Sequence, residues 1–311
     1  MSSSYGDAAS QVRKGLVITT AGGLLYTLDL PLLRLAASDM WTMVCARGFF
    51  LFLSISALWY FMRRRSDSAT PYIAGAAGLA VAVTSTITNV TYVGAIVETS
   101  AANVVFIMAL IPVFTAFLQR LFIGESVHPL TWLATIMSFL GVGIIVWDSM
   151  GQGKLLGDLL AIIAAISTAV AFTVIRASGK NVAASLAVGS LASAVIALIF
   201  FNVRPEALLA PASFGIAAWQ WIALNGLIAI PLASTLIANG PRFLPSADVS
   251  MFFLLETVLA PVWIWMLFAE RPTAAVLVGG AVVVLTLITH SWWRLHVTLR
   301  GGVLSPANGQ L

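Results

Sequence analysis

The stretch LFIGES, residues 121–126, returns 145 residues later as LFAERP, residues 267–272. Each copy places a glutamate, Glu125 or Glu270, directly after a long apolar run. A shared pattern at this distance indicates a duplicated half, because a chance match would not extend into the flanking segments. The recurrence therefore predicts that the chain consists of two related halves.

The segment just before each copy follows the same offset. SAANVVFIMALIPV (100–113) aligns with PSADVSMFFLLETV (245–258). In this alignment Ala102 corresponds to Ala247 and Leu110 to Leu255. Nearer the start of each half, KGLVITTAGG (14–23) can be laid on LGDLLAIIAA (156–165). The repeat thus covers most of the chain.

Composition assigns the chain to a membrane. Hydrophobic residues make up 60% of it, charged residues only 9%, and the mean hydropathy is +0.99, whereas soluble chains carry roughly 25% charged residues. Apolar runs of about 20 residues recur, which is enough for a helix to cross a hydrocarbon core of ~30 Å. The sequence predicts an all-α membrane protein with ten transmembrane helices, at 15–35, 40–62, 71–92, 98–122, 129–147, 156–175, 184–203, 215–239, 245–269 and 273–295.

The basic residues give the predicted orientation. Eleven Lys and Arg residues fall on one side of the ten spans and four on the other, with Arg47 inside a span. The positive-inside rule then places both termini in the cytoplasm of a bacterial-type inner membrane. Because these residues are spread over short loops, the net charge of +4 does not indicate nucleic acid, and the bilayer is the expected partner.

Five spans in each half predict an inverted repeat. An odd number of crossings inserts the second half upside down relative to the first, the architecture of many secondary transporters, in which one half rocks against the other. The predicted parts are a cytoplasmic tail at 1–14, a first repeat at 15–147, a linker at 148–155, a second repeat at 156–295 and a cytoplasmic tail at 296–311. No feature calls for an oligomer, and we expect a monomer.

Two segments carry a family resemblance. LIPVFTAFLQRLFIGE (110–125) and LLETVLAPVWIWMLFAE (254–270) each read as a proline, an apolar run and a small residue before glutamate, and VCARGFFLFL (44–53) carries an early second-helix arginine. In these features the chain resembles the EamA-type members of the drug/metabolite transporter superfamily, and as a whole it is similar to the YddG-type aromatic amino-acid exporters. The resemblance implies export of small metabolites.

Glu256 is the predicted proton-coupling residue. It lies about eleven residues into its predicted span, or ~16 Å at 1.5 Å per residue, which places it near the bilayer midplane. An ionisable group at that depth is a functional candidate, as a proton carrier or a partner for a substrate ammonium. Hydrogen bonding between helices is an equal alternative.

A predicted substrate cavity combines aromatic and uncharged polar side chains, which suit an amphiphilic small molecule such as an amino acid. Its predicted lining is Tyr26, Asn89, Tyr92, Asn103, Phe106, Thr168, Phe172, Asn239 and Phe252. Prolines within the spans can bend them, and the candidate hinges are Pro31, Pro112, Pro231 and Pro261.

Asp29 and Arg47 form a predicted intramembrane ion pair. Asp29 lies ~8–9 Å from the outer end of the first span and Arg47 ~10 Å from the outer end of the second, which is antiparallel to it. Burying either charge alone would cost more than burying both together. Its expected role is structural or that of an outer gate, with Pro31 bending the helix just beyond Asp29.

Other functions remain as alternatives. A channel or facilitator without ion coupling is compatible with ten spans, although the inverted repeat favours a carrier. A membrane-embedded enzyme lacks support, since the three histidines lie at span ends and no catalytic or metal-binding cluster is visible. We therefore expect a non-enzymatic transporter without a metal or cofactor.

Overall fold

The computed structural model describes residues 15, 17–65, 71–123, 129–150, 154–178, 182–239, 253–269 and 271–300. These residues form helices and short connections, and no strand occurs among them beyond an isolated bridge between Pro211 and Ala217. The helices are α1 (17–26), α2 (Asp29–Ala36), α3 (Met40–Arg65), α4 (Gly75–Glu98), α5 (Ala101–Met108), α6 (Ile111–Ile123), α7 (Pro129–Met150), α8 (Leu155–Ser178), α9 (Ala183–Phe200), α10 (Pro205–Leu209), α11 (Ala218–Ala223), α12 (Ile230–Asn239), α13 (Phe253–Phe268) and α14 (Ala274–Arg300).

The expected all-helical membrane class is confirmed. In the described part of the chain, five helical segments are long and apolar enough to cross a bilayer, and shorter apolar helices accompany them. The five segments are Met40–Arg64, Gly75–Glu98, Ala101–Phe122, Leu155–Ile175 and Ala218–Leu236.

Three predicted spans depart from a regular α-helix. The first is interrupted by a turn at Thr27 and Leu28, and the fourth by a turn at Ala109 and Leu110. The eighth contains a six-residue π-helix, Leu224–Ala229, between α11 and α12. The third span also ends later than predicted, at Glu98 instead of residue 92.

Proline explains all three irregularities. Proline has no N–H to donate to the carbonyl four residues earlier, and its ring collides with that carbonyl. Pro31, Pro112 and Pro231 each follow an irregularity within about four residues, so the turns and the π-helix lie where a regular backbone would be strained. The bend in the first span therefore lies before Asp29, whereas the sequence placed it beyond Asp29. Pro261 lies inside the continuous helix α13.

Close helix approaches hold the bundle together at glycines. A Cβ on Gly226 in the π-helix would lie 2.8 Å from the Cβ of Phe50 on α3. A Cβ on Gly48 would collide with the backbone carbonyl of Ser190 on α9. Small residues are typical where membrane helices pack backbone to backbone, and these two contacts place α3 against both α9 and the π-helix.

Contacts between loops define one end of the bundle, here called the Thr99 end. Arg34 Nη2 donates to the Thr99 carbonyl at 2.6 Å, and the Arg204 N–H donates to Thr42 Oγ1 at 2.9 Å. The rings of Trp41 and Phe201 stack at this end. The segments 91–96 and 101–107 are buried throughout, so the helices pack closely here.

Candidate functional site

Arg47 on α3 is the centre of a buried polar network. Its Nη2 donates to both carboxylate oxygens of Asp29, at 3.0 and 3.1 Å, and its Nη1 donates to Asn89 Oδ1 at 2.8 Å. Its Nε donates to Asn225 Oδ1 at 3.2 Å, and the guanidinium lies 5.2 Å from the centroid of the Tyr92 ring. The pair expected from the sequence, Asp29 and Arg47, is therefore in direct contact.

Two asparagines extend this network. Asn225 donates from Nδ2 to Asp29 Oδ1 at 2.7 Å and to the Asp29 carbonyl at 3.1 Å, so it contacts both charged residues. Asn89 donates from Nδ2 to Ser193 Oγ on α9 at 2.7 Å. The network thus joins α2, α3, α4, α9 and the π-helix through side chains alone.

Burial makes the charge balance of this network important. Arg47 is 6% exposed and Asp29 8%, and both asparagines are buried. Removing an ion from water costs several kcal/mol even after relaxation, and a buried pair tolerates this only when its remaining hydrogen-bonding groups are satisfied. Here one cation, one anion and two amides form a neutral set. Such a set can remain buried, but loss of either charge would leave the other uncompensated.

The π-helix places Asn225 in the network. The Ile230 N–H donates to the Asn225 carbonyl five residues earlier instead of four, a geometry found frequently at functional sites. The Gly226 beside it lets the segment approach α3 closely. Asn225 is thereby brought within hydrogen-bonding distance of a side chain 178 residues earlier in the chain.

The residues predicted to line one cavity fall into several clusters. Asn89 and Tyr92 belong to the Arg47 network. Phe106 instead packs against Gly280 on α14, and its ring is only 7% exposed. The structure therefore does not gather the predicted set at one point.

Tyr26 joins α1 to α12. Its hydroxyl lies 2.8 Å from Ser234 Oγ. Directly beside it, the Trp263 indole on α13 donates to Thr27 Oγ1 at 3.1 Å. All of these groups except Thr27 are only partly buried. Aromatic and hydroxyl groups from α1, α12 and α13 thus meet at the break in the first span.

Thr168 and Phe172 lie on the inward face of α8. The exposed large residues along the first part of this helix form one stripe, Leu156, Leu159, Ile163 and Ile166. At 100° per residue, Phe172 lies roughly 160° around the helix from that stripe, yet it is 42% exposed. Thr168, one turn away, approaches Thr88 on α4. The exposed ring of Phe172 thus lies on a different face of α8 from that stripe.

Some predicted residues lie outside the described part of the chain. This holds for Phe252 as a whole and for the side chains of Asn239 and Glu256. The backbone of Glu256 lies in α13. The midplane role of this carboxyl group remains a prediction.

A second polar cluster at the Thr99 end was not anticipated. Asp158 on α8 is fully buried, and its Oδ1 accepts hydrogen bonds from Thr99 Oγ1 at 2.7 Å and Asn103 Nδ2 at 3.0 Å. At Gly157 the start of α8 packs closely against the chain between α4 and α5. A Cβ added to this glycine would lie 2.6 Å from the Thr99 backbone nitrogen. Asn103, predicted to line the cavity, contacts this cluster instead.

Sequence signals for the two missed residues differ. Asn225 lies inside the eighth predicted span, so the criterion that selected Asn89 would also have selected Asn225. Asp158 lies three residues from the start of the sixth predicted span, where an acid is read as interfacial. Its burial results from the close packing around Gly157, which the sequence alone does not reveal. Among the described residues, no group of three His, Cys, Asp or Glu side chains could hold a metal.

The apolar helices and the buried, neutral polar network define a multi-pass membrane protein. The profile of the EamA-like transporter family matches residues 13–147 and 155–292, and the chain belongs to this family. The family membership expected from the sequence is therefore confirmed.

One curated protein and one solved structure are similar to this chain. An uncharacterised transporter of Synechocystis sp. is 26% identical over 223 residues, which is 62% of this chain and 58% of the relative. The match thus spans less than two thirds of that protein. A solved crystal structure of a 14% identical protein has a TM-score of 0.59 and covers 90% of this chain and 97% of its own, which shows a shared fold.

Proposed function

We propose that this protein is a secondary transporter that exports small amphiphilic metabolites, with amino acids, aromatic ones included, as its substrate class. Two inverted five-helix halves would alternate around a central site in a bacterial-type inner membrane, with both termini in the cytoplasm. Membership in a transporter family supports transport. The separate matches of the family profile to 13–147 and 155–292 support two repeats.

The Arg47 network is the observation that carries alternating access. Asp29, Arg47 and Asn89 belong to the first proposed half, whereas Ser193 and Asn225 belong to the second. A buried polar contact between two mobile halves can exist in one state and be replaced in another, because interfaces of this kind are bistable. A static scaffold would not need charged contacts between its halves inside a membrane.

The structure supports an assignment of state. In the proposed orientation the Thr99 end is the outer side, and the Arg47 network lies ~10–14 Å below it on α3, α4, α9 and the π-helix. Burial of 91–96 and 101–107 closes this end, whereas Phe172, near the other end of α8, is exposed on the face opposite the outer stripe. We assign this arrangement to an inward-open, outward-closed state.

The partly buried groups suggest what the opening accepts. Tyr26, Ser234 and Trp263 offer aromatic faces with hydroxyl and indole groups, and Thr168 with Phe172 offers the same combination on α8. Aromatic walls with few polar groups match an apolar side chain attached to a small polar head. Asn239 and Phe252 remain proposed members of this lining.

Counterflow in proteoliposomes tests the function. Purified protein would be reconstituted with a high internal concentration of one unlabelled amino acid, and uptake of labelled amino acids and amines would be measured with and without a pH gradient. A carrier gives saturable accumulation that depends on the internal substrate. Uptake that rises linearly with concentration, without counterflow, would instead favour a channel or facilitator.

Proton coupling through Glu256 is part of the proposal. Glu256→Gln removes the ionisable group and keeps the size of the side chain, so it should abolish the response of transport to a pH gradient while counterflow continues. If the variant retains full pH-dependent transport, Glu256 is not the coupling residue.

A further inference from the structure

Among the described residues, the two buried acids are Asp29 and Asp158, and they differ in the partners that surround the carboxylate. Asp29 has a guanidinium on both oxygens and an amide on one of them. Asp158 is more deeply buried than Asp29. Its Oδ1 accepts both of its hydrogen bonds, and both donors are neutral groups. Its Oδ2 is buried and has no hydrogen-bond partner in the described part of the chain.

Burying the Asp158 carboxylate in this way costs free energy unless another group binds Oδ2. Leaving a buried polar group unsatisfied costs about 1–3 kcal/mol, and more when the group is charged. Most buried polar atoms in native structures do have partners. The described residues place no basic side chain in ion-pair contact with Asp158. An unmet carboxylate oxygen therefore indicates a partner that the described residues do not supply in this conformation.

The surroundings of Asp158 restrict the chemistry of this partner. A metal cation would need about six oxygen ligands, but the Thr99 hydroxyl donates its proton to Asp158 and the Thr99 carbonyl accepts from Arg34. An ammonium group needs only acceptors, and a carboxylate oxygen is a strong one.

We propose that Asp158 binds the cationic amine of the transported molecule near the outer end of its route. The inference rests on the proposed transport function and narrows its substrate class to compounds with an ammonium group. In the present state the Thr99 end is closed and Asp158 is sealed. Opening of that end exposes Oδ2 to a molecule leaving the central opening, and the ammonium then satisfies it before release.

A binding assay that does not need transport tests this proposal. Thermal unfolding of the purified protein would be followed at constant ionic strength in phenethylammonium chloride, sodium chloride or choline chloride, with 3-phenylpropanamide as the neutral counterpart. A ligand that binds only the folded protein raises its stability with concentration. We expect phenethylammonium to stabilise the wild type and the other three to have no such effect.

Asp158→Asn should abolish this stabilisation. Asp148→Asn is the matched control, because Asp148 also accepts a hydrogen bond from a threonine, Thr273, but in an exposed position. Its response should equal that of the wild type. In counterflow, Asp158→Asn should raise the half-inhibiting concentration of phenylalanine ~10-fold or more and leave that of 3-phenylpropionate unchanged.

A second variant keeps the proposal testable if Asp158→Asn does not fold. Thr99→Val removes one donor from Oδ1 and leaves the carboxylate in place, so the response to phenethylammonium should increase. An equal or smaller response contradicts the proposal. Stabilisation by sodium that depends on Asp158 would overturn it in favour of a metal cation. A wild type stabilised by the amine but inactive in counterflow would refute the transport function and leave the amine site standing.

Discussion

A double-mutant cycle on Asp29 and Arg47 is the most direct test of the polar network. Arg47→Gln removes the guanidinium that donates to Asp29, Asn89 and Asn225, and it leaves the carboxylate with only the Asn225 amide. Asp29→Asn leaves the guanidinium buried without an anion. The two side chains of this pair are only 7% and 11% exposed, so water cannot screen the remaining charge.

The magnitude follows from this burial. Breaking a buried pair by removing one partner costs about 3–5 kcal/mol, so each single variant should unfold on the order of 10 °C below the wild type. Independent effects would sum to ~6–10 kcal/mol in the double variant. With both charges removed, no ion is left uncompensated. We therefore expect the double variant to be at least as stable as the less stable of the two single variants.

The assay is thermal unfolding of the purified wild type, both single variants and the double variant, together with initial counterflow rates. Arg63→Gln is a matched control on the same helix, since Arg63 is exposed and stacks on Trp59; it should leave stability nearly unchanged. Strict additivity in both unfolding temperature and transport would refute the reasoning. The charges of Asp29 and Arg47 would then not be energetically coupled to each other.

Three further tests address packing and bending. Gly226→Ala should lower the unfolding temperature and the transport rate because its Cβ meets α3 at 2.8 Å, whereas Gly143→Ala, which has nothing within 4 Å, should be neutral or slightly stabilising; equal unfolding temperatures for the two variants would contradict the close approach. Pro231→Ala should lower the maximal counterflow rate several-fold without changing the substrate affinity, since a regular helix could replace the π-helix; an unchanged rate would argue against a hinge. Tyr26→Phe and Ser234→Ala should each cost about 0.5–1.5 kcal/mol of stability, and the double variant no more than one of them.

Sequence reasoning predicted the class of fold because apolar composition and run length are local properties. A helix of some twenty apolar residues is the only economical way to cross a bilayer, so the helices lie close to the predicted spans. The interruptions were harder to place. Proline acts on the carbonyl four residues before it, so Pro31 and Pro112 mark breaks that lie upstream, at Thr27–Leu28 and Ala109–Leu110.

The contact between Asp29 and Arg47 was predictable because two antiparallel neighbours connected by a short loop share a depth scale. The partners on α9 and the π-helix were not, since no local rule relates Asn225 to a residue 178 positions away. Depth can still be compared along the chain. Asn225 and Ser193 lie seven residues from the Thr99 ends of their segments, as does Arg47, which corresponds to ~10 Å in each case.

Of the two described buried acids, Asp29 lies at this common depth and Asp158 does not, and we assign them different functions. Asp29 lies in the layer where α3, α4, α9 and the π-helix contribute polar groups, and both oxygens of its carboxylate accept hydrogen bonds. Asp158 lies nearer the Thr99 end with one oxygen unmet. A charge that is fully paired in one state stabilises that state, whereas a charge with an unmet oxygen favours whatever state completes it. In the proposed transport cycle, Asp29 would therefore stabilise the state in which the Thr99 end is closed, and Asp158 would favour the state in which that end opens to an amine.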